Sequence, residues 1–234
     1  NHLRSGQHRW KPGDRILLHR PFYLGFSEDI ETIGRKSVYS DLKKDKDGIY
    51  RMDYEDMDAK IKKYKIHLVI FCSPHNPTGR VWERWELEKA MKIFQENECY
   101  VISDEIWADL TFSNHQHIPT QMIGEWAKQH TIAAYAPSKT FNLAGMIGSY
   151  HIIYNPYLRD RVRSYGENTH YNSQNVLSMY AQIGAYSQEG SEWVEELCQV
   201  LEENCRYACD FIKHNIRDVE VTMPQGTYMI FLDC

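Results

Sequence analysis

The sequence predicts an α/β fold: a mostly parallel sheet with helices on both faces, followed by the start of a small α+β C-terminal domain. Short apolar runs that do not alternate with polar residues are typical of strands buried on both faces of a parallel sheet. These runs alternate along the chain with helical stretches. Two more strand candidates come only after a long helical stretch near the C-terminus, which predicts a second domain.

The elements of the predicted sheet follow one another in α/β order. DRILLHRPFYLGF predicts a strand over Arg15 to Leu18, a proline-bounded turn and a helix ending near Gly34. The next predicted elements are a helix over 52–63, a strand over 67–73, a helix over 82–97, a strand over 99–105, a helix over 119–130 and strands over 131–137 and 149–155.

The remaining third of the chain has a different pattern. A helical stretch runs from about Asn175 to His214 with a break predicted at Gly190, and the strand candidates VEVTMP and YMIFLD then flank the turn PQGT. We predict a large domain over 1–170 and, over 171–234, a long helix with the beginning of a small domain. The sequence does not begin with methionine and ends at FLDC directly after a strand-like run, so we expect a longer protein with segments at both ends.

The composition is that of a globular protein with a substantial core. Of the 234 residues, 42% are hydrophobic and 25% are charged. A formal net charge of -5 gives no basic field for a phosphate backbone, so nucleic acid is not an expected partner. No apolar run approaches the ~18 residues of a membrane span, and the start, NHLRSGQHRWKPGD, lacks the apolar core of a signal peptide. We expect small-molecule chemistry and no membrane contact.

The six cysteines predict neither disulfides nor a metal site. They lack the dense spacing of a secreted disulfide framework and form no CxxC pair, so we expect a reducing, cytoplasmic environment. Cys198, Cys205 and Cys209 recur at helical spacing, which would allow three thiols on one face to bind a metal. Small core residues are the favoured interpretation, because free cysteine is among the most buried residue types.

Polar side chains follow three successive predicted strands: Asn76 in SPHNPTGR, Asp104 in VISDE and Lys139 in APSKTF. Taken singly, each has a structural alternative: an Asx turn, a helix cap or arginine partner, and a lysine reaching to solvent. Ligands of open α/β sheets bind beyond the carboxyl ends of strands, so the shared edge favours a binding site. There a buried aspartate suits a cationic ring nitrogen, a lysine suits Schiff-base chemistry, and the Ser138 hydroxyl suits an anion.

With HNPTG, SDEIW and SKTFNLAG in this order, the sequence resembles the fold-type I pyridoxal-phosphate enzymes of the aspartate-aminotransferase superfamily. Within that superfamily, PHNPTGRVW, DEIWADLTF, GSEWVEEL and PQGTYMIFLDC are similar to the cystathionine β-lyase group known as MalY/PatB-type C-S lyases. The match runs over almost the whole chain. It implies the large-domain fold of the pyridoxal-phosphate-dependent transferases, with pyridoxal 5'-phosphate as the cofactor.

The resemblance also implies roles for particular residues. Lys139 matches the catalytic lysine that holds the cofactor as a Schiff base, Asp104 the aspartate at the pyridine nitrogen, and Asn76 the donor to the ring hydroxyl. Tyr23, in RPFYLGF, matches the aromatic residue that stacks on the ring, and Ile106 the residue on its opposite face. A tyrosine or isoleucine of the core is the alternative for these last two.

The sequence departs from the family pattern at two places within the site. Ile147 stands eight residues after Lys139, where many transaminases have a phosphate-binding arginine that the lyase group also lacks, so this position favours a lyase. Trp107 stands three residues after Asp104, where the family usually has a histidine. The family's phosphate-binding helix start and its substrate-carboxylate arginine would lie outside this chain.

The resemblance predicts a C-S β-lyase that releases a thiol from cystathionine or a cysteine conjugate and forms pyruvate and ammonia. A class I/II aminotransferase is the alternative, because Lys139 could return the Cα proton to the cofactor side instead. A regulatory protein-binding module that retains the fold is the alternative from another class, and it would show an exposed apolar patch not needed for catalysis. The resemblance further implies a homodimer.

Overall fold

A computed structural model describes residues 11–171 and 173–234. The strands are β1 Arg15–Arg20, β2 Lys36–Asp41, β3 Lys43–Lys44, β4 Tyr50–Arg51, β5 Leu68–Cys72, β6 Tyr100–Asp104, β7 Thr131–Tyr135, β8 Tyr150–Ile152, β9 Glu220–Val221 and β10 Leu232–Asp233. The helices are α1 Gly25–Thr32, α2 Tyr54–Tyr64, α3 Arg84–Glu96, α4 Glu125–His130, α5 Pro156–Thr169, α6 Val176–Ala185 and α7 Gln188–Asn215. Short 3-10 turns cover Thr120–Met122 and Ala144–Met146.

The main sheet has six strands in the order β2-β1-β5-β6-β7-β8. Within this sheet the neighbouring strands among β2, β1, β5, β6 and β7 all pair in parallel, and β8 pairs antiparallel with β7 at one side. The predicted mostly parallel sheet is therefore confirmed. Because parallel strands point the same way, the loops that follow β5, β6 and β7 all leave from one edge of the sheet.

Alternate residues of the central strands enter separate cores on the two faces. On one face Leu17, Val69 and Phe71 pack with residues of α2, α3 and α4 in a large cluster. On the other face, Ile16 and Leu18 pack with Ile30 of α1. Helices on both faces exclude water from the sheet, which explains why its strands are continuous apolar runs rather than alternating ones.

Two helix predictions need correction. The single helix expected over 119–130 is a 3-10 turn and the short α4, separated at Gly124. The backbone N–H of Thr120 donates to Glu105 Oε1 at 3.0 Å, and the Gln121 side chain donates to the carbonyls of Thr131 and Ile152, so these residues bind the sheet rather than extend a helix.

The predicted break in the long C-terminal helix lies before Gly190 rather than at it. Helix α6 ends at Ala185, and Ser187 begins α7 by accepting the N–H of Gly190 on its hydroxyl at 3.1 Å. Serine is a strong N-cap because its side chain binds one of the N–H groups that the first helical turn leaves unpaired. Gly190 therefore lies inside the first turn of α7.

The last strands pair as predicted but are short. Strands β9 and β10 are antiparallel with two residues each. The PQGT segment between them, 224–227, does not extend them because its backbone hydrogen-bonds the loops that follow β5 and β6. Gln225 N–H donates to the carbonyl of Gly79 at 2.9 Å, and Thr227 N–H donates to Leu110 at 2.8 Å. A Cβ on Gly226 would lie 2.5 Å from the Leu110 oxygen, so glycine is required for this approach. The domain boundary at residue 170 remains a prediction.

Within the described ranges, none of the helices has the length and apolar character needed to cross a membrane.

Candidate functional site

The three predicted site residues follow strands that end at the same level. Cys72, the last residue of β5, pairs with Asp104, the last residue of β6, and Asp104 pairs with Ala134 of β7. The Asp104 carbonyl accepts the N–H of Ser73 at 2.9 Å, which extends the ladder to the first loop residue. Asn76 and Lys139 each lie four residues beyond the end of their strand. Asn76, Asp104 and Lys139, which are far apart in sequence, therefore all lie at the edge formed by the carboxyl ends of these strands.

The loop that carries Asn76 is held by its own backbone. His75 and Arg80 form a β-bridge, and the N–H of Gly79 donates to the His75 carbonyl at 2.8 Å. Gly79 has a φ of +67°, in the left-handed region that glycine adopts without strain. Among the described residues, no group hydrogen-bonds the side-chain amide of Asn76, while its backbone N–H donates to the sulfur of Cys72 at 3.4 Å.

Two buried histidines lie in this loop and next to it. His75 is buried, and its Nδ1 lies 2.8 Å from the hydroxyl of Thr78 within the same turn. Burial, with a contribution from the neighbouring His19, lowers the pKa of His75 to about 3. His19 is also buried, has Nε2 3.2 Å from the sulfur of Met57, and has its pKa lowered by burial to about 4. Both rings are therefore uncharged at neutral pH.

Asp104 is a desolvated carboxylate at the centre of the edge. Burial raises its pKa to about 6, against opposing contributions from the backbone N–H of Ile106 and from the charge of Lys139. Ile106 N–H donates to Oδ1 at 3.1 Å, and the thiol of Cys72 lies 3.9 Å from Oδ2. A carboxylate in such surroundings is stabilised by a nearby cation, so Asp104 suits a protonated ring nitrogen.

Lys139 lies in the turn that follows β7 and is half-buried. Its Nζ is 5.8 Å from the ring centroid of Trp107, the residue at the family's histidine position. Trp107 is buried and packs edge-on against Tyr228 of the C-terminal segment, with centroids 4.6 Å apart. The next residue, Thr140, donates to Asp109 Oδ2 at 3.0 Å and so ties the lysine turn to the loop after β6.

The other predicted site residues are placed less decisively. Ile106 contacts Asp104 through its backbone N–H, and Ser138 adjoins Lys139 in the same turn, with both side chains half-buried. Tyr23 is 56% exposed and packs edge-on against Phe26, with its ring folded over Gly25. The contacts of Tyr23 do not join it to Asp104 or Lys139, so ring stacking by this tyrosine stays a prediction.

A buried ion network next to Asn76 was not anticipated from the sequence. Arg80, the last residue of SPHNPTGR, is buried and donates to Glu83 at 3.0 Å, to Glu86 and to the side chain of Gln225. Arg51 adds a second cation 3.0 Å from Glu86. The network joins the Asn76 loop to α3 and to the C-terminal segment. An arginine beside NPTG gave no sign of this, because Gln225, 145 residues away, and Arg51 come close to it only in the folded chain.

Cys72 was also missed as a site residue, because an isolated cysteine in an apolar strand is typical of the core. Its position could have been found from register: a strand-end residue of β5 faces the strand-end aspartate of β6. Of the three cysteines at helical spacing, Cys205 and Cys209 are buried, as core residues are, and Cys198 is half-buried; within the described residues there is no group of three or more His, Cys, Asp or Glu side chains that could hold a metal. Burial raises the pKa of the Cys205 thiol to about 11, which keeps it protonated.

An amide, a carboxylate and an amine follow three successive strands of a parallel α/β sheet, which is the arrangement expected of a pyridoxal-phosphate enzyme. The chain is a member of the aminotransferase class I and II family, whose model matches residues 7–234. Curated relatives include the cystathionine beta-lyase PatB of Bacillus subtilis (strain 168), 33% identical over 95% of this chain and 57% of its own. Protein MalY of Escherichia coli (strain K12) is 33% identical over 94% and 56%.

Two solved structures similar to this chain contain pyridoxal phosphate. The PLP-bound C-S lyase of Staphylococcus hominis is 33% identical with a TM-score of 0.87, covering 96% of this chain and 57% of its own. Cystalysin of Treponema denticola, which contains pyridoxal 5'-phosphate, is 32% identical with a TM-score of 0.88, covering 95% and 56%. The chain spans little more than half the length of the relatives it matches. The fold predicted from the motifs is confirmed.

Proposed function

We propose that this chain is part of a pyridoxal-phosphate-dependent C-S β-lyase that releases a thiol from cystathionine or a cysteine conjugate. The observation that supports this most strongly is the desolvated Asp104 carboxylate beside the Lys139 turn, in a chain whose relatives include a cystathionine beta-lyase. The residues fit the cofactor: the desolvated carboxylate of Asp104 suits a cationic ring nitrogen, and the Asn76 amide is free within the described residues to donate to a ring oxygen.

The chain's own groups would divide the work of the reaction. Pyridoxal 5'-phosphate, when bound, supplies a sink for the electron pair left at the substrate Cα. Asp104 would keep the ring nitrogen protonated, and Asn76 would orient the ring. Lys139 would hold the cofactor and, once the substrate amine has replaced it, take the proton from Cα. The Cβ–S bond would then break, the sulfur would leave as a thiol with the proton that Lys139 had taken, and one water molecule would convert the remaining fragment into pyruvate and ammonia.

An aminotransferase is the second candidate, supported by the family model and by a relative named aspartate aminotransferase from Bacillus sp. (strain YM-2), 28% identical over 94% of this chain. The two outcomes differ in where the proton goes after it leaves Cα. Ile147, where many transaminases have arginine, is 83% exposed and cannot bind a phosphate through its side chain. This position favours the lyase.

The lyase proposal is tested by measuring pyruvate and free thiol from cystathionine with no keto acid added. We expect both products in equal amounts, and none from the Lys139→Ala variant. The control Lys128→Ala removes a half-exposed lysine of α4, whose side chain is 41% accessible, and should leave the rate unchanged. Strict dependence on a keto-acid acceptor, with an amino acid formed from it, would assign the chain to the aminotransferases instead.

We also propose a homodimer in the cytoplasm. Helix α6 has exposed apolar side chains, with Leu177, Tyr180 and Ile183 each about 70% accessible, and a second copy would cover such a surface. The six cysteines are all unpaired, which fits a reducing compartment. Sedimentation of the wild type and of Leu177→Glu tests the dimer: the variant should dissociate. If the variant sediments as the wild type does, the surface has another role, and the protein-binding module becomes the better account.

A further inference from the structure

The sulfur of Cys72 lies between the two halves of the candidate cofactor site. Asn76 donates its backbone N–H to Sγ at 3.4 Å, and Sγ is 3.3 Å from the carbonyl oxygen of Pro74. On the other side it is 3.9 Å from Oδ2 of Asp104. One buried atom therefore contacts both the loop that presents the Asn76 amide and the carboxylate at the end of the next strand.

The backbone fixes this position. Cys72 pairs with Asp104 in the β5–β6 register, and its carbonyl accepts the indole N–H of the buried Trp82 at 2.9 Å. Burial, with the charge of Asp104 as the next cause, raises the pKa of the Cys72 thiol well above its usual range. The group is therefore a thiol rather than a thiolate, with one proton to share between Pro74 and Asp104.

We propose that Cys72 is a positioning residue for the cofactor: its thiol couples the placement of the Asn76 loop to that of the Asp104 carboxylate. The inference rests on the proposed function, because it concerns the same site. Cys72 itself takes no part in bond making. An apolar residue of the same size would fill the space but would leave the Asn76 N–H without an acceptor and Asp104 without this neighbouring donor.

The chain offers a matched control in Cys99. It too is buried, and its thiol lies 3.3 Å from a carbonyl oxygen, that of Ile66. It stands before β6, at the opposite end of the strand from Asp104. Cys72→Ala and Cys99→Ala thus remove the same atoms from the same kind of environment, but only the first change touches the candidate site.

The experiment measures pyridoxal-phosphate affinity from the visible absorbance of the bound cofactor, together with the melting temperature of the cofactor-free chain. We expect Cys72→Ala to weaken binding about tenfold, as for the loss of a hydrogen bond at a charged group, and Cys72→Ser to stay within about threefold of the wild type. Cys99→Ala should lower the melting temperature of the cofactor-free chain about as much as Cys72→Ala does, but it should leave the affinity unchanged. If Cys72→Ala does not fold, Cys72→Val fills the volume without a donor and takes its place.

The pH dependence of binding supplies a readout that a purely structural role would not move. The charged and titratable groups that face Asp104 are Glu105, Lys139 and Cys72. Affinity should fall as Asp104 becomes protonated, and loss of a donor to its carboxylate should move that midpoint to higher pH in Cys72→Ala but not in Cys99→Ala. Equal affinities and midpoints for Cys72→Ala and wild type would overturn the inference. Absence of binding by the wild type would instead refute the proposed function, and the inference with it.

Discussion

Replacing Arg80 with methionine should destabilise the chain because it removes the cation that pairs with the buried Glu86 carboxylate. The side chains of Arg80 and Glu86 are 2% and 0% exposed, so Arg80→Met leaves a carboxylate in the interior. Breaking a buried ion pair in this way costs about 3–5 kcal/mol. Arg51 remains 3.0 Å from Glu86 and offsets part of the loss, which places the expected cost near ~3 kcal/mol.

Urea unfolding followed by circular dichroism measures this cost as a shift in the midpoint at constant slope. Adding Glu86→Gln to Arg80→Met removes the stranded charge while keeping a side-chain oxygen for the Glu83 N–H, so the double variant should recover ~1–2 kcal/mol. The control Arg84→Met changes an exposed arginine at the start of the same helix and should stay within ~0.5 kcal/mol. A loss below ~1 kcal/mol for Arg80→Met, or no recovery in the double variant, would show that the unpaired Glu86 carboxylate does not set the cost.

Two further predictions concern backbone strain and buried histidine. Gly79→Ala should cost ~3 kcal/mol or more in the same urea assay, because φ is +67° and the new Cβ would lie 2.5 Å from Pro224; Gly13→Ala, at φ +88° with open space around it, should cost only ~1 kcal/mol. The pKa of His19 is lowered in the folded chain, so the unfolded chain takes up the proton first as pH falls. His19 should therefore contribute ~3 kcal/mol of stability that is present above pH ~6.5 and lost towards pH ~4, in addition to the loss from His75, whose pKa is lowered in the same way. His19→Gln should remove the His19 share of this decline, and an unchanged pH profile would contradict the prediction.

The edge of the sheet could be predicted from the sequence because it depends on local patterns. Apolar runs mark β5, β6 and β7, and parallel pairing brings their carboxyl ends together whatever the loops between them do. Asn76, Asp104 and Lys139 could therefore be assigned to one site before any distance was known. Their convergence follows from topology rather than from the identity of each residue.

Contacts between segments far apart in sequence could not be predicted in the same way. Gln225 contacts Arg80, 145 residues earlier in the sequence, and the backbone around Gln225 hydrogen-bonds Gly79 and Leu110 instead of extending β9 and β10. The helix expected over 119–130 is interrupted because Thr120 and Gln121 find hydrogen-bond partners on the sheet, which no periodicity records. In both cases tertiary hydrogen bonds override the local pattern.

We expect Lys139 to hold the cofactor. Incubation with pyridoxal 5'-phosphate, reduction with borohydride and peptide mass spectrometry report which lysine has become covalently modified. We expect modification of Lys139, with loss of the label and of the visible absorbance in Lys139→Ala and no change in Lys128→Ala. Absence of label on Lys139 in the wild type, or full absorbance retained by Lys139→Ala, would contradict this expectation.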